Sequence, residues 1–344
     1  MAFKVSHSKI KTWRFCRNAY HYKYVEKLRA IKKGRPLIFG SIIHDMCEAW
    51  IINDDPWVIL EQYENKYKNL FLEEQEMYGD IIGDARRVME IYFDYYEDDP
   101  LEYYEFEGRK AEYPFELPLV EDITINGFID TAAHSQDGRF WIVERKSGKQ
   151  FAGEEERFRD IQVATYIPMM QELGFPTVDG VCWDHVRSKA PTIPEMLKSG
   201  AMSKKNIDTT WPIYRAALKA NKLKVKAYLD MKEKLEGKET QFVRRLYLPI
   251  RRPLIKQLMT ETKQTAIEMR DTHGKDRTRN MTRNCSFCDY FRLCQGELLG
   301  KDTDFIKEHH YTMEAKDGSK KGKKKNVKSK DKTSKGTRRR RRRK

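Results

Sequence analysis

The sequence predicts an α/β fold: a mixed central β-sheet flanked by helices, with a helical insertion at about 50–100. Three observations carry this. The first hundred residues show mostly helical apolar spacing. From about residue 102 to 146 the pattern becomes period-two alternation. Beyond about 155, helices and strands interleave with no internal repeat, the order expected when helices cover one sheet.

Taken in order, residues 6–26 read as a helix capped by Ser6 or Ser8, with Trp13, Tyr20 and Tyr24 better suited to core packing than to stacking on bases. Arg35–Pro36 interrupts the chain before "FGSIIHDMCEAWII" opens a second helix, which Asp54, Asp55 and Pro56 end. Residues 57–77 and 84–97 read as further helices, closed by Asp99–Pro100. "EYYEFEGRKAEYPFELPL", "ITINGFIDTAA" and "RFWIVERK" read as strands. A helix at about 155–173 ends near Gly174 and Pro176. "TVDGVCWDHV" and "TQFVRRLYLPI" are strand candidates on either side of a charged helical stretch at 208–236. A helix at about 251–272 leads to "CSFCDYFRLC", and His309, His310 and Tyr311 read as a frayed end.

The chain has 344 residues and 39% hydrophobic content, enough for one large domain at 1–312 followed by a tail at 313–344. No apolar run approaches the ~20 residues that span a bilayer, and the N-terminus has no secretory apolar region. A cytoplasmic protein without membrane contact is expected. The formal net charge is +15, and residues 315–344 carry all of it, with 17 basic and 2 acidic residues. Such a tail is expected to be disordered, serving as a salt-sensitive arm for phosphate backbones or as a solubility segment.

Asp130, Glu144 and Lys146 are charges inside apolar strand patterns. Asp137–Gly138 marks the turn between them. A three-residue loop, Gln136–Asp137–Gly138, pairs Ser135 with Arg139, sets Asp130 opposite Glu144 and sets Phe128 opposite Lys146. A two-residue loop would place the carboxylates on different faces. Opposed carboxylates repel, and a divalent cation bound by carboxylate oxygens and water removes the conflict. Lys146, ~7 Å along the strand from Glu144, would stand beside a scissile phosphate. The same charges are also compatible with a salt-bridge network. Gly40 and His44 form G-x3-H on a helix, and Gln162 and Tyr166 share a helix face; each pair is ordinary alone.

Six cysteines are present. Cys285, Cys288 and Cys294 form C-x2-C-x5-C, the spacing of a metal or cluster site, whereas Cys47 and Cys182 read as buried small hydrophobes. Four thiolates, Cys16 included, suit [4Fe–4S] or structural zinc, and spacing does not choose between them. In "RRLYLPIRRPLIKQ", Tyr247, Arg251 and Arg252 either line a nucleic-acid channel or are an ordinary strand and solvated helix start.

Together and in order, G-x3-H, G-x2-D, E-x-K ("VERKSGK") and Q-x3-Y resemble the motif set of the RecB-like branch of the PD-(D/E)XK nucleases. Cys16 with C-x2-C-x5-C resembles its iron–sulfur members, among them the AddB nuclease domain and the CRISPR-associated, Cas-four-type exonucleases; similar proteins are frequent in bacteriophage genomes. The resemblance covers about residues 1–300. It implies a restriction-endonuclease-like core with an iron–sulfur staple joining the N- and C-terminal segments. It implies Mg²⁺ or Mn²⁺ held by His44, Asp130, Glu144 and the Arg145 carbonyl, with Lys146 acting on the attacking water and the phosphate. Gln162 and Tyr166 would position the strand or support the site. It favours [4Fe–4S] over zinc at Cys16, Cys285, Cys288 and Cys294. The implied activity is metal-dependent hydrolysis of DNA, at free ends or single strands, in recombination, repair or phage DNA processing, within the bacterial host cytoplasm if phage-encoded. Two other readings are a DNA-binding or assembly component working with a protein partner in recombination or spacer capture, and an RNA-directed nuclease.

Overall fold

The computed structural model describes residues 2–313 with the exception of Arg159 and Asn206. The tail expected at 313–344 therefore lies, apart from Met313, outside the described residues. Strand β1 (Phe3–Val5) leads into α1 (His7–Phe15), which Ser6 caps by accepting from the Lys9 N–H at 3.3 Å. The helix expected over 6–26 is divided. Cys16 is extended (φ −167°, ψ 120°), α2 (Arg17–Tyr20) follows, then one π turn at His21–Val25, then β2 (Leu28–Ala30).

Helix α3 (Arg35–Ile51) starts at the residues expected to interrupt the chain, because a proline in the first turn loses no helical hydrogen bond. The helical insertion is α4 (Pro56–Lys68), α5 (Leu72–Tyr78) and α6 (Ile81–Tyr95). The single helix expected over 57–77 is two: the Tyr67 hydroxyl lies 2.7 Å from the carbonyls of both Gln75 and Gly79, donating to one of them, and ties the end of α5 back to α4. Next come β3 (Leu101–Tyr103), β4 (Tyr113–Val120), β5 (Ile123–Ile129), β6 (Thr131–Ser135) and β7 (Phe140–Gly148). The helix expected over 155–173 separates into α7 (Glu154–Phe158) and α8 (Ile161–Leu173), the latter capped by Asp160. The chain closes with β8 (Gly180–Arg187), α9 (Trp211–Ala220), α10 (Leu229–Leu235), β9 (Val243–Pro249), α11 (Arg252–Asp271), α12 (Phe291–Leu298), α13 (Asp304–His310) and β10 (Tyr311–Met313).

The central sheet has the order β3-β6-β7-β8-β9; β7 and β8 run parallel and the other pairs antiparallel. A second sheet, β1-β5-β4, and a β10-β2 pair stand beside it. The β6–β7 hairpin has the expected register: Thr131 pairs with Val143, and Ser135 N donates to Arg139 O at 2.9 Å. Gly138 supplies φ 81° in the turn. Asp130 therefore stands opposite Glu144. The strand expected from "ITINGFIDTAA" is two, however. At Asp130 the chain leaves the β4–β5 hairpin and enters the central sheet, so Phe128 pairs with Pro114 and not with Lys146. Burial decides this: Ile123, Ile125 and Ile129 pack with Tyr113, Phe115 and Leu119 in their own sheet.

Helices cover both faces of the central sheet. On one face, Ile142, Val181 and Trp183 pack with residues of α8 and α11; on the other, Val186 and Val243 pack with α3 and α6. Trp13 and Tyr20 are core residues, as expected. Cys47 and Cys182 are fully buried, and burial pushes both thiols up to about 12. The end expected to fray does not: Tyr311 is buried, stacks on Tyr290 and donates to the Asp289 carbonyl at 2.7 Å. No helix among the described residues is long and apolar enough to cross a membrane.

Candidate active site

Helix α3 crosses close to β7. A Cβ on Gly40 would lie 3.1 Å from the Ser147 hydroxyl, so glycine in G-x3-H permits the approach that delivers His44. His44 Nε2 lies 3.2 Å from Asp130 Oδ2 and 3.5 Å from Glu112 Oε1. Glu48, one turn further along α3, completes a group in which ligand atoms of His44, Glu48 and Glu112 all lie within 4.8 Å of one another. Glu112 reaches this group from a left-handed backbone conformation (φ 52°), an unfavourable state for a residue with a side chain. Its N–H donates to the Asp130 carbonyl at 2.8 Å, which ties the two acidic residues together. Asp130 Oδ2 also accepts from the Arg145 N–H at 3.2 Å.

Glu144 and Lys146 project from the α8 face of the sheet. Lys146 Nζ is 2.5 Å from Glu144 Oε1 and 3.5 Å from Gln162 Oε1, and Gln162 Nε2 lies 3.1 Å from the Tyr166 hydroxyl. The structure thus joins Glu144, Lys146, Gln162 and Tyr166 in one chain of contacts, and His44 and Asp130 in another. Among the described residues no hydrogen bond or ion pair joins the two directly. Asp130 and Glu144 stand opposite each other but turn to different partners, as two like charges should. Arg145 points to the opposite face. There its buried guanidinium lies 3.7 Å from Asp184, which also faces Arg245 at 3.6 Å and accepts from Tyr92 at 2.5 Å.

The site is short of positive charge. Burial pushes Glu144 up to about 7, and the charge of Asp130 adds to the shift. Glu112 likewise rises to about 7, through burial and then the charges of Asp130 and Glu48 against the pull of His44. Burial works against protonation of His44, but the hydrogen bond and charge of Asp130 prevail and raise its pKa. Lys146 is raised as well: burial opposes its charge and Glu144 overrides it. A protonated Glu144 and an ammonium held by an ionised Glu144 cannot both persist. Above about pH 7 Glu144 is ionised and paired with Lys146; below it, the cost of that buried charge makes Glu144 take up a proton. Four carboxylates face one ammonium and one imidazole. Glu144 Oε2 is buried without a hydrogen-bond partner, the lone-pair arrangement a hard cation satisfies. The residues present therefore fit a divalent ion.

Glu48 and Glu112 were not among the expected site residues. Glu48 carried a signal, lying four residues after His44 on one helix face. Glu112 carried none, since only the β4–β5 hairpin returns it to Asp130. The cysteines converge too: Cys16, Cys285, Cys288 and Cys294 line one small cavity with Tyr22 and Arg279. Of the expected channel residues, Arg251 lines a cleft beside Trp183, whereas Tyr247 packs on Trp141 at the opposite face.

A mixed sheet that brings opposed carboxylates, a helical histidine and a lysine to one strand end defines a class, the metal-dependent nucleases. Comparison narrows it. The chain matches the family described as the PD-(D/E)XK nuclease superfamily over residues 4–295, and it belongs to that superfamily. Members are nucleases that use divalent metal ions, and membership implies a DNA substrate. No curated protein matches the chain.

Proposed function

We propose that the chain is a metal-dependent DNA exonuclease of the RecB-like branch, acting on single strands or free ends in recombination, repair or phage DNA processing. The observation that carries the nuclease reading is the orphaned, buried Glu144 Oε2 beside an ammonium and across from Asp130. Mg²⁺ or Mn²⁺ held there would lower the pKa of water and offset charge on the phosphate. Asp130, Glu144 and His44 are the proposed ligands with the Arg145 carbonyl, and Glu112 and Glu48 extend the set. Lys146 holds the attacking water and a phosphate oxygen through N–H donors. Gln162 fixes the ammonium, and Tyr166 fixes Gln162, so that little reorganisation is needed on reaction.

The cysteine cavity supports a [4Fe–4S] cluster. Four thiols around one cavity suit such a core, and the resemblance to the iron–sulfur members favours it over zinc. Such a cluster would staple the start of the chain to its end. Asn18 lies 3.9 Å from Cys294 Sγ and Arg279 Nε is buried without a partner, so both offer N–H groups to sulfur.

The test uses end-labelled single-stranded DNA, duplex DNA and RNA with Mn²⁺ or Mg²⁺, comparing wild type with Lys146→Ala. Progressive, metal-dependent shortening of DNA that Lys146→Ala loses by roughly 10²–10⁴-fold is expected. Cleavage of RNA alone would move the substrate to RNA. Tight DNA binding with no cleavage under either metal would leave a binding or assembly component.

A further inference from the structure

Beside the metal-site residues lies a second group of cations that the mechanism above does not use. On the α8 face of the central sheet the register aligns Lys146, His185 and Arg244 side by side across β7, β8 and β9. Arg157 comes down on this row from α7. Its Nε donates to His185 Nε2 at 3.0 Å, and its guanidinium lies 4.8 Å from the Trp183 ring that Lys146 Nζ also approaches, at 5.9 Å. The Phe151 ring packs at a tilt against His185, 5.6 Å between centroids, and supports Arg244 at 5.1 Å.

We propose that Arg157 and Arg244, with His185 holding Arg157 in place, form a subsite for a backbone phosphate of the same nucleic-acid strand, next to the phosphate that is cleaved. The proposal rests on the nuclease reading for what the neighbouring site does, and adds what the enzyme requires of its substrate. Three independent features support it. First, neither arginine makes an ion pair within 4 Å among the described residues, although Asp160, Glu156 and Glu144 act on Arg157 from further away. Arg187 and Arg245 on the same sheet each reach a carboxylate. Arg157, half-buried without an acid in contact, is a place for an external anion, and Arg244 is the exposed cation beside it. Second, His185 is buried and surrounded by positive charge. Burial, then Arg157, Arg244 and Lys146, hold it down to about 4, and no carboxylate acts in the other direction. The imidazole is neutral at physiological pH and its Nε2 accepts from Arg157, which directs the free guanidinium nitrogens away from His185. Third, a cleft of about 870 Å³ opens beside Arg157, with Arg251, Phe158, Trp183 and Leu254 in its lining; Glu154, Glu155 and Asp160 also line it, so its positive end is at the two arginines, and Arg244 stands outside it. Arginines over aromatic and aliphatic walls suit a nucleotide, with phosphate on the cations and base on the apolar side. Neighbouring strands are ~4.8 Å apart, so Arg244 stands two strands, ~10 Å, from Lys146, a span two long side chains bridge to adjacent phosphates.

The test is a methylphosphonate walk. Single-stranded oligodeoxynucleotides carry one uncharged linkage, moved one position at a time from the free end, and binding to the full-length protein is read by fluorescence anisotropy in EDTA. Wild type is expected to lose about tenfold to a hundredfold in affinity at one linkage. Arg157→Leu should lose a similar factor on the unmodified strand and become indifferent to that linkage. His185→Gln, which keeps an acceptor for Arg157, should stay nearer wild type than His185→Leu. Arg244→Leu, at an exposed position, runs the same cycle if Arg157→Leu does not fold. Should wild type and the variants respond alike at every linkage, the subsite is refuted, even if Mn²⁺-dependent cleavage is intact. Should the linkage effect appear without cleavage under any metal, the subsite stands and the nuclease reading fails.

Discussion

Loading the site with a divalent ion should expel protons, in numbers set by pH. Glu144 and Glu112 are both raised to about 7, so in the metal-free protein each holds roughly nine-tenths of a proton at pH 6 and one-tenth at pH 8. Carboxylates bind hard cations only when ionised. If both become ligands, Mn²⁺ binding should release roughly 1.8 protons at pH 6 and roughly 0.2 at pH 8. Apparent affinity should then climb steeply with pH, approaching ~100-fold per unit below pH 6, and flatten above pH 8. Isothermal titration in two buffers of different ionisation enthalpy at one pH gives the proton count directly. Glu112→Gln should remove about half of it. Stability follows the same linkage. The folded, metal-free protein binds more protons than the unfolded chain between about 4.5 and 7, because both carboxyls are raised, and His44 is raised as well. Their contribution is complete below the unfolded pKa values and is lost as pH rises through the folded ones. The gain in melting temperature on adding Mn²⁺ should therefore be larger at pH 8 than at pH 6. Equal binding enthalpies in the two buffers at pH 6, with a pH-independent affinity, would refute this account of the site.

Three further outcomes follow from other parts of the molecule. Asp184→Ala strands the buried guanidinium of Arg145, while Arg245 keeps Asp99, and should cost about 3–5 kcal/mol, read as a lowered denaturation midpoint; a change under ~1 kcal/mol would show the network relaxes without it. Cys16→Ser should lower iron content and visible absorbance in anaerobic preparations and destabilise the N-terminal helices, whereas Cys47→Ser should leave iron content unchanged; equal iron in wild type and Cys16→Ser would remove Cys16 from the ligand set. Deletion of residues 315–344 should weaken DNA binding most at low salt and flatten the dependence of affinity on salt, and identical salt slopes with and without the tail would end its role as an arm.

Much of the candidate site could be read along the chain because its signals are local. The Asp137–Gly138 turn and its three-residue loop set Asp130 against Glu144, since loop length fixes the register of a hairpin. The i, i+4 spacing joined Gln162 to Tyr166, and cysteine spacing singled out 285–294. Four groups escaped. Period-two alternation runs unbroken through Asp130, so nothing marks the passage between sheets that moved Phe128 away from Lys146. Glu112 lies 18 residues before Asp130 on an unremarkable strand approach. Trp183 and His185 look like any buried strand residues until β7 is set parallel beside them. Tyr311 sits among polar and charged residues that resemble a loose end, yet it finds Tyr290 and β2.

Short-range pattern thus decided which residues lie on which face, where the turns fall, and that charges occupy strand positions where apolar residues belong. Pairing between distant segments decided the rest: which acidic residues crowd His44, which arginines lack a carboxylate, and that Cys16 shares a cavity with thiols nearly 270 residues later. The division has a physical cause. Alternation and turn chemistry act over a few residues of backbone, whereas the ionisation of Glu144 and the partners of Arg157 depend on burial and on fields from groups that meet only when the sheet has closed.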